Sequence, residues 1–222
     1  MVLRQRGEFD PPVIAEHLRA VVKQEGVAAE PELLFHVAKL GNGSMRDSLS
    51  LMDRVIATGE KKLTVKLLEE LLGLPPQEVL GAMLDAVAVG DARGALERAD
   101  ELLGKGISID QALEAMLDRL RDLMVLASCG PETRLVELSE GAREAEVARA
   151  RKFDPAGLVH MIALCESVQR SAKNSGSPRA LLDALLVRLA MTDKLADVTA
   201  VVMGRGAAGN ASLPGSAAAK KR

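Results

Sequence analysis

The chain has 222 residues, of which 48% are hydrophobic and 1% aromatic, and its formal net charge is −2 at pH 7. This length fits one or two domains with a sizeable core. The charge excludes a global basic surface for nucleic acid, and the absence of Trp and Tyr excludes an aromatic platform for stacking single-stranded bases.

The residue types also predict the class of protein. Leu, Ala and Met are strong helix formers, whereas β-rich folds draw on aromatics, so the composition predicts an all-α fold. Cys129, Cys165 and the three histidines have no zinc-type spacing, which favours reduced cysteines and no metal. No signal peptide or run of about 20 apolar residues occurs, so we expect a cytoplasmic protein without a membrane span.

Four helices are predicted in the first 73 residues, over about 11–25, 31–40, 44–57 and 64–73. Each follows a start signal, either prolines suited to a first turn or a Ser or Thr cap. The start signals are Asp10 with the two following prolines, Pro31, Ser44 and Thr64. The helical spacing directs Leu33, Leu34, Val37, Ala38 and Leu40 of the second helix to the core.

Five longer helices are predicted after a Gly-Leu-Pro-Pro break at 73–76, over about 76–89, 92–103, 108–127, 154–172 and 177–191. The third carries an apolar stripe. Its members are Ala112, Met116, Leu120, Leu123 and Ala127. Charged residues fill 132–151, which predicts a short helix or a mobile connector. Residues 204–222 are rich in Gly, Ala and Ser and predict a disordered tail or linker.

These patterns give three parts. We place a helical domain at 1–73, a second helical domain at 74–195 and the tail at 196–222, with the boundary at the Gly-Leu-Pro-Pro break.

The most informative motif is GSMRDSLSLMDR, residues 43–54. Ser44 and Asp47 have the spacing of a capping box, which fixes a helix start. Arg46 opposes this pattern, because a cation in the first helical turn is unfavourable by a few tenths to about 1 kcal/mol. A residue that breaks a local rule is a candidate for function, and unpaired amides at a helix start receive anions.

Two interpretations of Arg46 stay open on these grounds. Its planar guanidinium can contact a phosphate beyond the helix start. Alternatively, it forms a weak surface ion pair with an acid such as Asp53 or Glu32.

The remaining chemistry is sparse. Asp118 and Asp122, with Arg119 and Arg121 among them, are typical of a solvated helix face. His36 and His160 lie among apolar residues and are expected to pack rather than act as bases. No nucleophile with a base and an orienting acid is recognisable.

The run GSMRDSLSLMD resembles the second sensor motif of AAA+ clamp-loader ATPases, and most closely the gamma/tau subunit of bacterial DNA polymerase III. Similar patterns are Phe9-Asp10, Leu71-Leu72-Gly73 and the helix from Ser177 to Ala190. The resemblance implies a small AAA+ helical lid domain followed by a helical oligomerisation (collar) domain. It assigns Arg46 to contact the phosphates of a bound nucleotide.

The resemblance also implies a DNA-replication role within a clamp-loader ring. The expected partners are other clamp-loader subunits, the sliding clamp and primed DNA, with ATP binding and hydrolysis driving clamp loading. The chain has no G-x-x-x-x-G-K-[ST] loop, so we expect ATP and Mg²⁺ only with an N-terminal nucleotide-binding domain. By itself the chain is not expected to bind ATP tightly or hydrolyse it, and we expect it to be a piece of a longer gene.

Two alternatives remain. The absent P-loop favours a stand-alone helical interaction module without a nucleotide role. A lid from another AAA+ relative, such as a branch-migration helicase, would precede a winged-helix domain with short strands, and the all-helical pattern after Gly73 argues against it.

Overall fold

The computed structural model describes residues 9–191, apart from the side chain of Glu140. Ten α-helices and two very short strands account for this part of the chain, so the predicted all-α class is confirmed. The elements are α1 Pro11–Gln24, β1 Ala28–Ala29, α2 Pro31–Leu40, α3 Met45–Ile56, β2 Lys62–Leu63, α4 Val65–Leu72, α5 Gln77–Ala88, α6 Ala92–Gly104, α7 Ile109–Cys129, α8 Glu140–Ala150, α9 Pro155–Ala172 and α10 Pro178–Ala190.

The helices begin where the sequence has caps and prolines. Thr64 accepts a hydrogen bond from the backbone N–H of Leu67 at 3.2 Å at the start of α4. Ser108 and Gln111 form a complete capping box at the start of α7. Such side chains satisfy amides that have no partner within the helix, which explains why the predicted starts are accurate.

Helices α1 to α4 form the N-terminal unit. β1 and β2 pair in parallel within it, with Ala28 opposite Lys62, and join the loops before α2 and α4. The helices enclose one hydrophobic cluster, made mainly of Ile14, Leu18, Val22, Leu33, Leu34, Val37, Ala38, Met52, Val55, Leu63 and Leu68.

Helices α5 to α10 form the C-terminal unit. The long α7 lies at its centre and packs against both α8 and α9, while α5, α6 and α10 pack together beside it. Its hydrophobic cluster buries four of the five residues of the predicted α7 stripe, namely Ala112, Met116, Leu120 and Leu123. Residues 132–151, for which a short helix or a mobile connector was expected, contain the helix α8.

Three side-chain predictions are wrong. Leu40 is 45% exposed at the end of α2, because the buried stripe of this helix continues from Ala38 to Gly41, which packs against Ser48. His160 is exposed on the outer face of α9. The helix face predicted to be solvated is partly covered: the side chains of Arg119 and Asp122 are only 18% and 14% exposed, since α8 packs over Arg119.

Polar contacts connect the two units. Glu69 of α4 accepts a hydrogen bond from the backbone N–H of Gln77 at 2.9 Å and so caps α5. The side-chain amide of Gln111 donates a hydrogen bond to the carbonyl oxygen of Gly73 at 3.3 Å. The two buried clusters share no residue over 9–191. The domain limits of 1–73, 74–195 and 196–222 stay predictions, and the predicted tail lies outside the described residues.

Among residues 9–191, no helix has the length and apolar character needed to cross a membrane.

Candidate functional site

The candidate site is the start of α3. Residues 41–43 turn the chain between α2 and Ser44, the residue that precedes α3. The turn is tight, because a Cβ at Gly41 would lie 1.8 Å from Oγ of Ser48. The buried Ser48 hydroxyl donates to the carbonyl oxygen of Ser44 at 2.9 Å. These contacts fix the start of α3 against the end of α2.

Ser44 caps α3, but the expected capping box forms only in part. Its Oγ accepts a hydrogen bond from the backbone N–H of Asp47 at 3.2 Å. The N–H of Ser44 donates to the carbonyl oxygen of Gly41 at 2.8 Å. The carbonyl oxygen of Gly41 thus accepts the hydrogen bond from the Ser44 N–H that the Asp47 side chain would accept in a complete capping box. Asp47 still places negative charge in the first turn, where the helix dipole favours it.

Arg46 is the second residue of α3 and its side chain is exposed. Within the part of the chain that the structure describes, its guanidinium has no hydrogen-bond or ion-pair partner. The alternative surface pairs with Asp53 and Glu32 are not formed, and Glu32 accepts a hydrogen bond from Ser139 instead. The five donors of this guanidinium are therefore open to an acceptor from outside the described residues.

The chain enters the described structure beside this helix start. The backbone N–H of Phe9 donates to the carbonyl oxygen of Gly43 at 2.9 Å. A cavity of about 70 Å³ lies here, with Lys39, Asn42 and Glu137 among its lining residues. Pockets for drug-sized molecules span roughly 300–1,000 Å³, so this cavity alone cannot enclose a nucleotide. Arg46 lies instead on an open surface.

A second polar group lies in the C-terminal unit, between α5, α7 and α8. Glu146 is 4% exposed and accepts hydrogen bonds from Arg119 at 2.6 Å and from Arg149. Arg149 also bonds Asp85 at 2.9 Å, and Lys152 lies 3.0 Å from the same carboxylate. Burial alone would raise the pKa of Asp85, but the hydrogen bonds from Arg149 and Lys152 outweigh it and hold the pKa below its usual value.

This ion network borders an open cleft of about 390 Å³ whose lining includes Ala82, Ala142 and Ala145. Two buried atoms have no hydrogen-bond partner among the described residues, Nε of Arg119 and Oε2 of Glu146. Sequence analysis missed the network because its partners are far apart in the chain, and helical spacing predicts only contacts within a helix. The network joins three helices, and no nucleophile is part of it.

His36 lies where α2 faces the C-terminal unit. Its pKa is lowered mainly by burial and further by the positive charges of Lys39 and Arg119, while the charge of Glu32 acts in the opposite direction. The expectation that His36 packs is compatible with this half-buried position. A neutral imidazole here avoids placing a third positive charge beside Lys39 and Arg119.

The cysteines and acids of the described residues form no metal centre. No group of three His, Cys, Asp or Glu side chains within residues 9–191 is arranged to hold a metal ion. Cys129 is exposed and Cys165 is buried, and burial raises the pKa of the Cys165 thiol to about 12. Cys165 therefore acts as a small apolar core residue.

Two family models match the chain. The model described as the ATPase lid domain of the DNA polymerase III clamp loader subunit matches residues 13–61. The model described as domain III of DNA polymerase III subunits gamma and tau matches residues 63–202. The first falls on the N-terminal unit and the second extends from β2 through the C-terminal unit.

Curated relatives carry matching names. The chain is 25% identical over 182 residues to DNA polymerase III subunit gamma/tau of Mycobacterium tuberculosis. This match covers 81% of this chain and 32% of that protein. It is 26% identical over 145 residues to subunit tau of Escherichia coli, covering 64% and 22%. It is 39% identical over 66 residues to subunit tau/gamma of Haemophilus influenzae, covering 30% and 10%. The chain thus spans about a third or less of these relatives.

A solved structure shares the fold. The Bacillus subtilis DNA clamp loader delta protein matches with a TM-score of 0.53 at 13% identity, over 82% of this chain and 57% of that chain. At this identity the likeness concerns the helical architecture alone.

Proposed function

Because the chain belongs to the DNA polymerase III gamma/tau clamp-loader family, we propose that it supplies the lid and the collar of a clamp-loader subunit. The N-terminal unit is the lid and the C-terminal unit is the collar. In the complete ATPase ring, this subunit couples ATP binding and hydrolysis to loading the sliding clamp on primed DNA in the cytoplasm.

The observation that carries the proposal is the free guanidinium of Arg46 at a capped helix start. The unfavourable position of a cation in the first turn of α3 is explained when a phosphate lies in front of it, since the phosphate meets both the guanidinium and the helix amides. The backbone N–H of Phe9 bonds Gly43 beside this point, so a domain joined before Phe9 would be connected close to the start of α3.

The residues of this chain fit one part of a nucleotide site. Arg46 can hold a phosphate oxygen, but the sequence has no Gly-rich loop ending in Lys-Ser or Lys-Thr to cradle the phosphates or position Mg²⁺. ATP would supply the phosphoanhydride chemistry if an N-terminal domain of the subunit held it. The contribution of this chain is to orient the bound nucleotide and to sense its phosphates. As it stands, the chain is not a complete ATPase.

The C-terminal unit is proposed to join sister subunits. Three of its large apolar side chains are well exposed: Val89 at 73%, Leu135 at 63% and Val159 at 56%. Such side chains are suited to burial between subunits, where a standard interface covers about 1,600 Å². The clamp and primed DNA would be contacted through the assembled complex.

Substitution of Arg46 tests the lid assignment. In a reconstituted clamp loader whose gamma/tau subunit carries this chain, Arg46→Ala should reduce clamp-dependent ATPase activity and clamp loading by about tenfold or more, because a charge-assisted hydrogen bond contributes about 1.5–3 kcal/mol. Arg54→Ala is the matched control, since Arg54 is exposed on the same helix but lies in its last turn. Equal activity of both variants would favour the alternative of a helical interaction module without a nucleotide role.

A further inference from the structure

Glu32 of α2 reaches out of the N-terminal unit to the start of α8. The hydroxyl of Ser139, the N-cap residue of α8, donates to Oε1 of Glu32 at 3.2 Å. The same hydroxyl accepts a hydrogen bond from the backbone N–H of Ala142 at 3.2 Å. One unit therefore completes the helix cap of the other.

The geometry makes this contact more than a surface pair. A serine hydroxyl has one proton, and giving that proton to Glu32 leaves its lone pairs to accept from the amides of α8. The carboxylate also lies at the positive end of the α8 dipole, where negative charge is favourable. Glu32 thus orients the cap and adds its own charge to it.

The contact between Glu32 and α8 requires a residue without a side chain at position 141. A Cβ at Gly141, in the first turn of α8, would lie 2.5 Å from Oε1 of Glu32. Because Oε1 ends a flexible side chain, an added methyl group would displace Glu32 rather than prevent folding. Gly141 therefore offers a way to break the contact from the side of α8.

Helix α8 depends on polar anchors. Of its side chains with a described burial class, only Ala150 and Glu146 are buried, and Val147 packs partly against the core. Glu146 is held by Arg119 and Arg149 rather than by apolar packing. With so little apolar area, the helical order of α8 is sensitive to its cap, because most helical stability in proteins comes from an apolar face.

The connection between the units is also polar. Lys39 lies 3.8 Å from Asp122, and the two hydrophobic clusters have no common residue in the described chain. Units joined in this way move relative to one another by default. A movement that carries α2 away from α8 separates Glu32 from Ser139.

We propose that Glu32 couples the position of the N-terminal unit to the helical order of α8. With the units seated as in this structure, α8 is capped and ordered. When α2 moves away from α8, the cap loses its carboxylate and α8 opens more often. This coupling rests on contacts within the chain and is independent of the nucleotide role of Arg46.

Amide hydrogen exchange of the 222-residue chain tests the coupling, because exchange reports local opening. Glu32→Ala should speed exchange of the α8 amides by about fivefold, in line with the loss of a cap. Exchange in α1 and α9 should not change. Glu16→Ala is the matched control, since Glu16 belongs to the same unit and pairs only with Arg19 in the described structure. Unchanged exchange in α8 would overturn the proposal.

Glu32 also lies in the first turn of α2, so a second variant separates the coupling from a local effect on α2. Gly141→Ala improves the helix propensity of α8 but displaces Glu32. It should therefore slow amide exchange in α8 about threefold more in the Glu32→Ala background than in the wild-type chain. Gly157→Ala lies near the start of α9, where a Cβ would have ordinary contacts. This control should change amide exchange in α9 equally in both backgrounds. An equal effect of Gly141→Ala in both backgrounds would refute the coupling.

Discussion

At the scale of single residues, Arg46 and Glu146 show two opposite ways to hold a charge. Arg46 is exposed and unpaired among residues 9–191, so the cost of its position at a helix start is not recovered within that part of the chain. Glu146 is buried and held by two arginines. An unrecovered cost points to an external partner, whereas a buried and paired charge points to structure.

Removal of the Glu146 carboxylate should destabilise the protein. Glu146→Ala leaves Arg119 partly buried without its carboxylate, and breaking a buried pair costs about 3–5 kcal/mol. Urea unfolding followed by circular dichroism measures the change. Glu144→Ala, an exposed position on the same helix, should stay within about 0.5 kcal/mol of the wild type. Equal stability of the two variants would show that the network contributes little.

The lowered pKa of His36 predicts a stability that depends on pH. The unfolded chain binds a proton near pH 6.5, whereas the folded chain binds it only at lower pH, because burial, Lys39 and Arg119 disfavour the imidazolium and Glu32 only partly offsets them. The free energy of unfolding should therefore fall as pH drops below about 6.5. His36→Gln should flatten this dependence between pH 7.5 and 5.5, measured by urea unfolding. An unchanged slope would contradict the assignment.

At the scale of elements, the connection between α2 and α3 positions the candidate site. The capped start of α3 could be predicted from Ser44 and Asp47, because capping is a local interaction. The incomplete capping box could not, since the N–H of Ser44 turns to Gly41 only in the folded turn. The exposure of Leu40 could not be predicted either, because apolar spacing does not indicate which residue of the last helical turn stays at the core.

Substitution of Gly41 tests the packing of this connection. Gly41→Ala places a methyl group 1.8 Å from Oγ of the buried Ser48, and overpacking of this kind costs about 1–3 kcal/mol. Thermal unfolding should show a lower Tm. Gly104→Ala, where no atom lies within 4 Å of the added Cβ, should leave Tm unchanged or raise it. A Gly41→Ala variant as stable as the wild type would mean that the turn has room the structure does not show.

At the scale of the whole molecule, the fold class and nine of the ten helices among the described residues follow from sequence, but the arrangement does not. Start signals and apolar spacing are local, so they predict α1 to α7, α9 and α10. The contacts between Arg119 and Glu146 and between Glu32 and Ser139 join residues 27 and 107 positions apart. No periodic pattern links such residues, so the ion network and the polar connection between the units emerge only from the structure.

Calorimetric titration of ATP into the complete subunit tests the central claim most directly. A subunit in which this chain follows its nucleotide-binding domain should bind ATP about tenfold more weakly after Arg46→Ala, because a charge-assisted contact to phosphate is lost. Arg54→Ala should bind ATP as the wild type does. An Arg46→Ala subunit with wild-type ATP affinity would contradict the contact between Arg46 and the nucleotide phosphates.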